Sequence, residues 1–525
     1  MKLKLSEVFS ALRAASSTMM EHREIVAASI TFSVAMVVYL LTMMPGPAFM
    51  DTGEYQTVTY VLGCAHPTGY PLYTMLGKLF GTLFPLGNWA FRMNLMSALS
   101  TAVAAAMLAV LAMRYGVAGA LAVAASLGFA FTLNTWRASG HADPYTLTLL
   151  IGASLWWMAL KWRDNGARAW LWRMALISGV GLGSAGVLSM ELLAIIFFAM
   201  LVQPRKFFAP ITVVVAAMLG VVGLFGIYAY LPIRSAMHPP LNYGNTSTWQ
   251  GFLSVVNDAQ VGGISSHLNW ETFRSFIRLL PRVPGWYGEW LTPMGRDIVI
   301  VFALIGLVAL IARDWRLGLC VLPGFLIPIF PTLTMPINDT THYLLIPNWL
   351  LFFTVAMGAQ ALLLNPIGRI TNVLIRRPIA LLICTIFLLL PCYLAKVNWS
   401  AADMHTYNDA EILAKGVFDT VKPHAVVFCW WGPSNGLWYA HYVEGLRPDV
   451  DVYDDSTTVD RGWGGVTPAI GLFYPQRPVY SLPLGDQVDV IQKKYKLRLI
   501  SDLHVFGQSL YEVVGPSDPS SVKAP

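Results

Sequence analysis

The sequence predicts an α-helical polytopic membrane protein closed by a small C-terminal α/β domain. Three observations predict it. Hydrophobic residues make up 56% of the 525 residues and charged residues only 12%, at a mean hydropathy of +0.56; a water-soluble surface cannot be built from so few polar groups. Apolar runs of membrane-crossing length alternate with short breaks that carry Lys or Arg. The charge changes sign near residue 397: residues 397–525 hold 10 Lys and Arg against 15 Asp and Glu, a net of −5, and the first 396 hold the other 25 and 14, a net of +11. The basic residues lie scattered over short loops rather than in one stripe, so no nucleic-acid partner is expected.

In chain order, residues 1–24 read as a cytoplasmic N-terminal segment. The first apolar run, "IVAASITFSVAMVVYLLTMM" (25–44), follows Lys2, Lys4, Arg13 and Arg23. Twenty apolar residues span roughly 30 Å as a helix, too long for a signal-peptide core, so the run is expected to be an uncleaved span with its N-terminus inside. Further runs place spans near 93–113, 117–134, 145–161, 174–188, 190–203, 210–231, 297–312, 317–334, 343–364 and 378–396, about 11 transmembrane helices in all. Every break on the inner side carries Lys or Arg, as in "KWRDNGARAWLWR" (161–173) and "ARDWR" (312–316). The transmembrane domain thus covers 25–396, with outer loops 45–92 and 232–296. Residues 397–525 read as an extracytoplasmic domain: a helix over 408–422 capped by Asn408, then strand-like "HAVVFCW" (424–430) and "DVDVYDD" (449–455) around a helical segment. The five cysteines show neither metal spacing nor a disulfide framework and read as small buried residues.

Candidate chemistry gathers on one side. "MDTGEYQTVTYVLGCAHPTGYPLY" (50–73) opens with Asp51 and Glu54 just beyond the first span, and apart from His66 and tyrosines the next ionisable group is Lys78. Carboxylates held at a membrane boundary are functional candidates by default and suit general-base work. A solvated loop pair is the bland account. "DTG" also occurs in aspartic proteases, which need two such motifs from two lobes, and this chain has one. Pro67, Gly69 and Pro71 forbid a regular helix and shape a fixed loop, from which His66 and Tyr70 face a sugar or phosphate, or simply pack. Arg92 reads as either a partner for an acid or a snorkelling cation. Asp143, in "HADPY", is either a site residue or an ordinary helix start. Arg234 ends span 7, where a guanidinium suits bidentate phosphate binding. Asp339 and His342, in "INDTTHYLLIP", end span 10 on the same side, and Glu191 is placed near that face too.

The block "MDTGEYQTVTYVLGCAHPTGYPLYTMLGKLF" (50–80) resembles the signature of the protein O-mannosyltransferase-like membrane family, whose first outer loop typically reads Asp-Ser-Gly-Glu followed by His-Pro-Pro-Gly-Tyr-Pro-Leu. "YLPIRSAMHPPLNYGNTSTWQGFL" (230–253) resembles a second family block and "VEGLRPDVDVYDD" (443–455) the start of its tail domain. The chain departs from the family at "ADPY", where Ala-Glu-Val-Tyr is common, and in the Gly-rich 181–190, which lacks the family's histidine. The resemblance implies a GT-C type fold and a glycosyltransferase that takes a sugar, mannose or another hexose, from a polyprenyl-phosphate carrier on the non-cytoplasmic face. The partners implied are that membrane lipid carrier and a glycan, lipid or protein acceptor. It makes Asp51 the catalytic carboxylate with Glu54 beside it, and Arg234 a candidate for the carrier phosphate. A carboxylate base with a cationic clamp accommodates a divalent metal without requiring one, and no metal ligands are assigned. A bacterial inner membrane is the expected location. Two other classes stay open: a transporter or flippase of a lipid-linked substrate, which calls for midplane charges and paired repeats, and a non-catalytic membrane scaffold, in which Asp51 is dispensable.

Overall fold

A computed structural model describes residues 5–257, 269–335, 340–503, 505 and 507–518, with side chains from residue 21 onward. Its first helix, α1 (Leu5–Thr42), runs unbroken through the expected N-terminal segment and the first span, because neither Gly nor Pro interrupts it before Pro45. The first outer loop holds α2 (Met50–Val61) and α3 (Pro71–Leu83). Next come α4 (Trp89–Arg114), α5 (Gly119–Ala130), α6 (Leu133–Ser139), α7 (Pro144–Asn165), α8 (Arg168–Gly181) and α9 (Leu188–Val202). Asn88 caps α4 by accepting from Phe91 N, and Asp143 caps α7 by accepting from Tyr145 N with Pro144 in the first turn.

Among the described residues seven helical stretches are long and apolar enough to cross a membrane: Glu21–Thr42, α4, Pro210–Ala236, Pro293–Arg313, Trp315–Thr334, Thr341–Gly368 and Val373–Ala402. The pair α5 and α6, bent by 70°, makes an eighth if counted as one span. The other three expected spans are also helical but differ in kind. Helix α7 has the length, at 22 residues, but its Tyr, Thr and Trp leave it less apolar than the seven. Helices α8 and α9, of 14 and 15 residues, reach only about 21–23 Å at 1.5 Å per residue, short of a hydrocarbon core of about 30 Å. In the Gly-rich stretch that links them, a Cβ on Gly183 would stand 2.8 Å from Cγ1 of Ile227, and the neighbouring helices pack as closely. A Cβ on Gly179 would stand 2.2 Å from the Gly220 carbonyl oxygen, and one on Gly223 2.7 Å from that of Leu176, so α8 and the Pro210–Tyr228 helix touch backbone to backbone.

The tail carries a five-stranded sheet of β1 (Val426–Cys429), β2 (Asp451–Asp454), β3 (Val479–Leu482), β4 (Tyr495–Asp502) and β5 (Ser509–Pro516), in the order β2-β1-β3-β5-β4. Strands β1 and β2 pair in parallel, Val426 opposite Asp451, with the helix Trp431–Trp438 between them in sequence, as the strand–helix–strand reading requires. The other parallel pair is β1–β3, while β5 lies antiparallel to both β3 and β4. Asn408 precedes the helix Asp409–Thr420 as expected, but its side chain makes no capping hydrogen bond. The tail does not stand apart: Phe49, Tyr55, Tyr73 and Trp89 share one hydrophobic cluster with Leu413, Phe418, Leu437 and Tyr439. The Tyr439 hydroxyl also accepts from Ala90 N at the start of α4 (3.0 Å).

Candidate active site

The site is built on the N-terminal end of α2. Met50, at φ 57°, turns the chain into this helix in a left-handed conformation that non-glycine residues adopt at a cost. Asp51 follows with its side chain 54% exposed, and Glu54, one turn on, is 0% exposed. Between them Gly53 admits the tail: a Cβ there would lie 2.1 Å from the Ala48 carbonyl oxygen and 3.1 Å from Cβ of Asn435. The glycine of "DTGE" is therefore needed for the close approach of the tail helix Trp431–Trp438.

Glu54 binds His66 twice. One carboxylate oxygen accepts the backbone N–H of His66 at 2.7 Å, and the other lies 2.9 Å from ring Nδ1. A buried carboxylate must be paired, and this one is satisfied by fixing the position and the ring orientation of a residue 12 positions away. With Nδ1 so held, Nε2 points outward and lies 4.0 Å from Oδ2 of Asp51. Tyr55, Tyr70 and Trp431 surround the imidazole at centroid separations of 5.6, 5.2 and 6.0 Å. One wall of the site thus comes from the tail.

A second cluster adjoins the first. The Tyr70 hydroxyl is 3.4 Å from that of Tyr145, and the Tyr145 ring lies 5.6 Å from His342. Burial pushes the Tyr70 phenol pKa upward, so its hydroxyl keeps its proton. His342 Nδ1 lies 2.6 Å from Oδ2 of Asp143, whose other oxygen caps α7, and His141 Nε2 is 4.0 Å from the same Oδ2. The structure therefore brings together Asp51, Glu54, His66, Tyr70, Asp143 and His342 from three separate segments. Asp339 lies outside the described residues.

Three other candidates are engaged elsewhere. Arg234 does not stand beside Asp51: its Nε and Nη2 donate to the carbonyls of Leu62 (2.8 Å) and Val61 (3.1 Å). Those carbonyls end α2, about 16 Å along the helix axis from Asp51 at 1.5 Å per residue. A helix C-terminus exposes unpaired carbonyls and a partial negative charge that attract a cation, and Lys78 meets the Tyr60 carbonyl there as well (2.6 Å). Arg92 is likewise engaged, donating to the carbonyls of Gly81 (2.9 Å), Gly87 (3.0 Å) and Leu86 (3.3 Å). Glu191 does not reach the site end either: it is buried against Trp156 Nε1 (2.6 Å), 13 residues down α7 from Asp143. Sequence reasoning missed Tyr145 and Trp431, each of which looks like ordinary aromatic packing until its neighbours are known. No group of three or more His, Cys, Asp or Glu fit to hold a metal occurs among the described residues.

Residues 51–209 match the family model described as the protein O-mannosyl-transferase TMEM260 N-terminal domain. The chain is 28% identical over 451 residues to protein O-mannosyl-transferase TMEM260 of Mus musculus, covering 81% of this chain and 62% of the relative. It is 22% identical over 461 residues to protein O-mannosyl-transferase tmem260 of Dictyostelium discoideum, covering 79% and 55%. The resemblance read from the sequence is thus found again over most of the chain, while the chain spans only about six-tenths of the length of these relatives. Among solved structures, ArnT from Cupriavidus metallidurans in the apo state superposes with a TM-score of 0.56 at 13% identity, covering 95% of this chain and 98% of that one. The same protein bound to undecaprenyl phosphate gives 0.56 at 12%, covering 93% and 98%. The fold is therefore the GT-C type that the resemblance implies, with many membrane helices and a small C-terminal sheet.

Proposed function

We propose that this chain is an integral membrane glycosyltransferase that moves a sugar from a polyprenyl-phosphate carrier to an acceptor hydroxyl, with Asp51 as general base. The observation that carries the reading is the ordered set Glu54–His66–Asp51: a wholly buried carboxylate fixes an imidazole, which in turn faces a half-exposed carboxylate at the mouth of the site. Burying a carboxylate to hold one imidazole is the kind of support a functional group needs to keep its geometry. The relatives' name, protein O-mannosyl-transferase, and the undecaprenyl phosphate bound by ArnT agree with a sugar donor on a lipid phosphate.

In the proposed step the acceptor O–H gives its proton to Asp51 as its oxygen bonds to the anomeric carbon. The bond from that carbon to the carrier phosphate breaks in line, and polyprenyl phosphate leaves with the bonding electrons. A single displacement inverts the anomeric centre through a transition state of oxocarbenium character. Glu54 is a positioning residue rather than a second base, since both its oxygens already hold His66. With Arg92 and Arg234 engaged on backbone carbonyls, His66 is the group we assign to the leaving phosphate, with Tyr70, Tyr145 and Trp431 forming the aromatic wall against which a sugar packs. The membrane part over 25–396 carries the chemistry and the segment from 397 covers it, on the side of the membrane opposite the N-terminus.

The test is a purified-protein assay against a panel of polyprenyl-phosphate sugars with alcohol acceptors. Turnover that vanishes in Asp51→Asn at unchanged expression supports the assignment. Full transfer by that variant ends it.

A further inference from the structure

A second polar centre lies at the other end of the helices that carry the site. Helix α7 starts at Asp143 beside His342 and reaches Lys161 after 18 residues, about 27 Å at 1.5 Å per residue. That is close to one hydrocarbon thickness. There a cavity of about 580 Å³ opens between the last turns of α4 and α7, the turn joining the helices Pro293–Arg313 and Trp315–Thr334, and Glu24 of α1. Five of its lining residues are cationic: Arg114, Lys161, Arg163, Arg313 and Arg316.

Cations at helix C-termini are ordinary, since they answer the dipole and satisfy the rule of basic inner loops. The pairing within this cavity goes further. Arg114 is matched by Glu24 (3.0 Å), and Arg163 by Asp164 (2.7 Å) and Asp314 (2.5 Å). That accounts for every acid on the wall. Lys161, Arg313 and Arg316 have no hydrogen bond or ion pair to any described residue, so the cavity keeps a net charge of +2 from five cations and three acids. Its geometry is also set before any ligand arrives. The Trp157 ring is in cation–π contact with the Arg114 guanidinium (4.1 Å) and the Lys161 ammonium (5.3 Å), and Tyr115 donates to Asp314 (3.1 Å) while receiving from Arg163. Topology alone asks only for charge; it does not ask for unpaired cations around a concave, braced space.

We propose that this cavity is an anion site that binds a phosphate group at the membrane boundary, held by Lys161, Arg313 and Arg316. Guanidinium and ammonium donors make charge-assisted hydrogen bonds to phosphate oxygens, and the position at the start of the apolar run beginning at Ile25 matches headgroup depth. The phosphate belongs either to a lipid headgroup or to a soluble phosphorylated compound. The site is separate from the Asp51 centre and does not depend on the activity assigned to it.

The experiment uses the full chain in a phosphate-free detergent. One arm titrates phosphatidic acid against diacylglycerol of the same acyl chains and reads bound lipid by native mass spectrometry. The other measures uptake of radiolabelled inorganic phosphate by equilibrium dialysis. Saturable binding of phosphatidic acid over diacylglycerol, weakened about tenfold or more in Lys161→Gln/Arg316→Gln at unchanged melting temperature, supports a lipid phosphate. Saturable uptake of inorganic phosphate with the same loss supports a soluble one. If the double variant fails to fold, Arg313→Gln alone, which leaves the neighbouring cations in place, is read in the same two arms. The proposal is overturned if wild type saturates in neither arm, or if the variants bind as wild type does.

Discussion

Helices α4 and α7 join two polar ends of opposite character. At their N-terminal ends, where Arg92 is taken up by backbone carbonyls, acids meet imidazoles: Asp51, Glu54 and Asp143 face His66 and His342 at hydrogen-bond or near-contact distance. That end is roofed by the tail helix at Trp431. At their C-terminal ends cations outnumber acids, and the cavity stays open. The difference teaches where each kind of residue gains from its setting. On the proposed reading, a half-exposed carboxylate with a fixed imidazole beside it exchanges a proton with a reactant. Unpaired guanidinium and ammonium groups in an open cavity are placed to hold a preformed anion.

Four perturbations break or sharpen this contrast at the acidic end. The largest effect is expected from Asp51→Asn, which should lower transfer about 10²–10⁴-fold, the usual loss on removing a general base, at unchanged melting temperature. Comparable turnover in variant and wild type would leave the acidic end without its chemistry. Next, Glu54→Gln and His66→Ala should each cost about 10–100-fold, because both remove the same oriented imidazole. The double variant should be little worse than the poorer single one; strictly multiplicative losses would show that the two residues act independently.

The third concerns the cover. Asp454, at the end of β2, is buried, accepts from the Tyr243 hydroxyl (3.3 Å) and caps the helix Asp455–Asp460 through Thr457 N (2.6 Å). Burial pushes its pKa up to about 6 from 3.8. A raised folded-state value means that the folded form binds more protons between those two pH values, so this group's contribution is fully present below about pH 4 and is lost as pH rises through about 6. Asp454→Asn keeps the cap acceptor and removes the charge. It should stabilise the protein at pH 7 by about 1–3 kcal/mol and flatten stability between pH 4 and 6, as read from thermal unfolding in the two buffers. A destabilised variant at pH 7 would contradict this account. The smallest effect belongs to Arg234→Gln: about 1–2 kcal/mol of stability as the α2 carbonyls lose their cap, with turnover of the folded protein within a few-fold of wild type. A collapse of turnover with stability intact would restore Arg234 to the site and contradict its place in the structure.

Parts of the site differ in how far the chain alone reveals them. Asp51 and Glu54 stand out because they are charges at the end of a long apolar run. What Glu54 does is not visible, since its role follows from a loop that folds back 12 residues later. Asp143 and His342 are 199 residues apart, and nothing local joins them. Arg234 shows the converse. Its residue type suits a phosphate, but a guanidinium also suits helix-end carbonyls, and only the packing of Leu62 beneath it chooses between the two. Helices α8 and α9 are legible as apolar, whereas their length and break depend on glycines packed against a helix 40 residues away.

The sequence by itself determined the class of protein, the membrane helices from α1 to Val373–Ala402, the parallel strand–helix–strand at the start of the tail, and the prominence of Asp51. These follow from hydrophobic burial and local periodicity, which act between neighbours in the chain. The tertiary structure alone decided which polar groups meet: Glu54 with His66, Asp143 with His342, Arg234 with the end of α2. Hydrogen bonds and ion pairs are short-ranged and permit many partners, so their choice waits until the helices have packed.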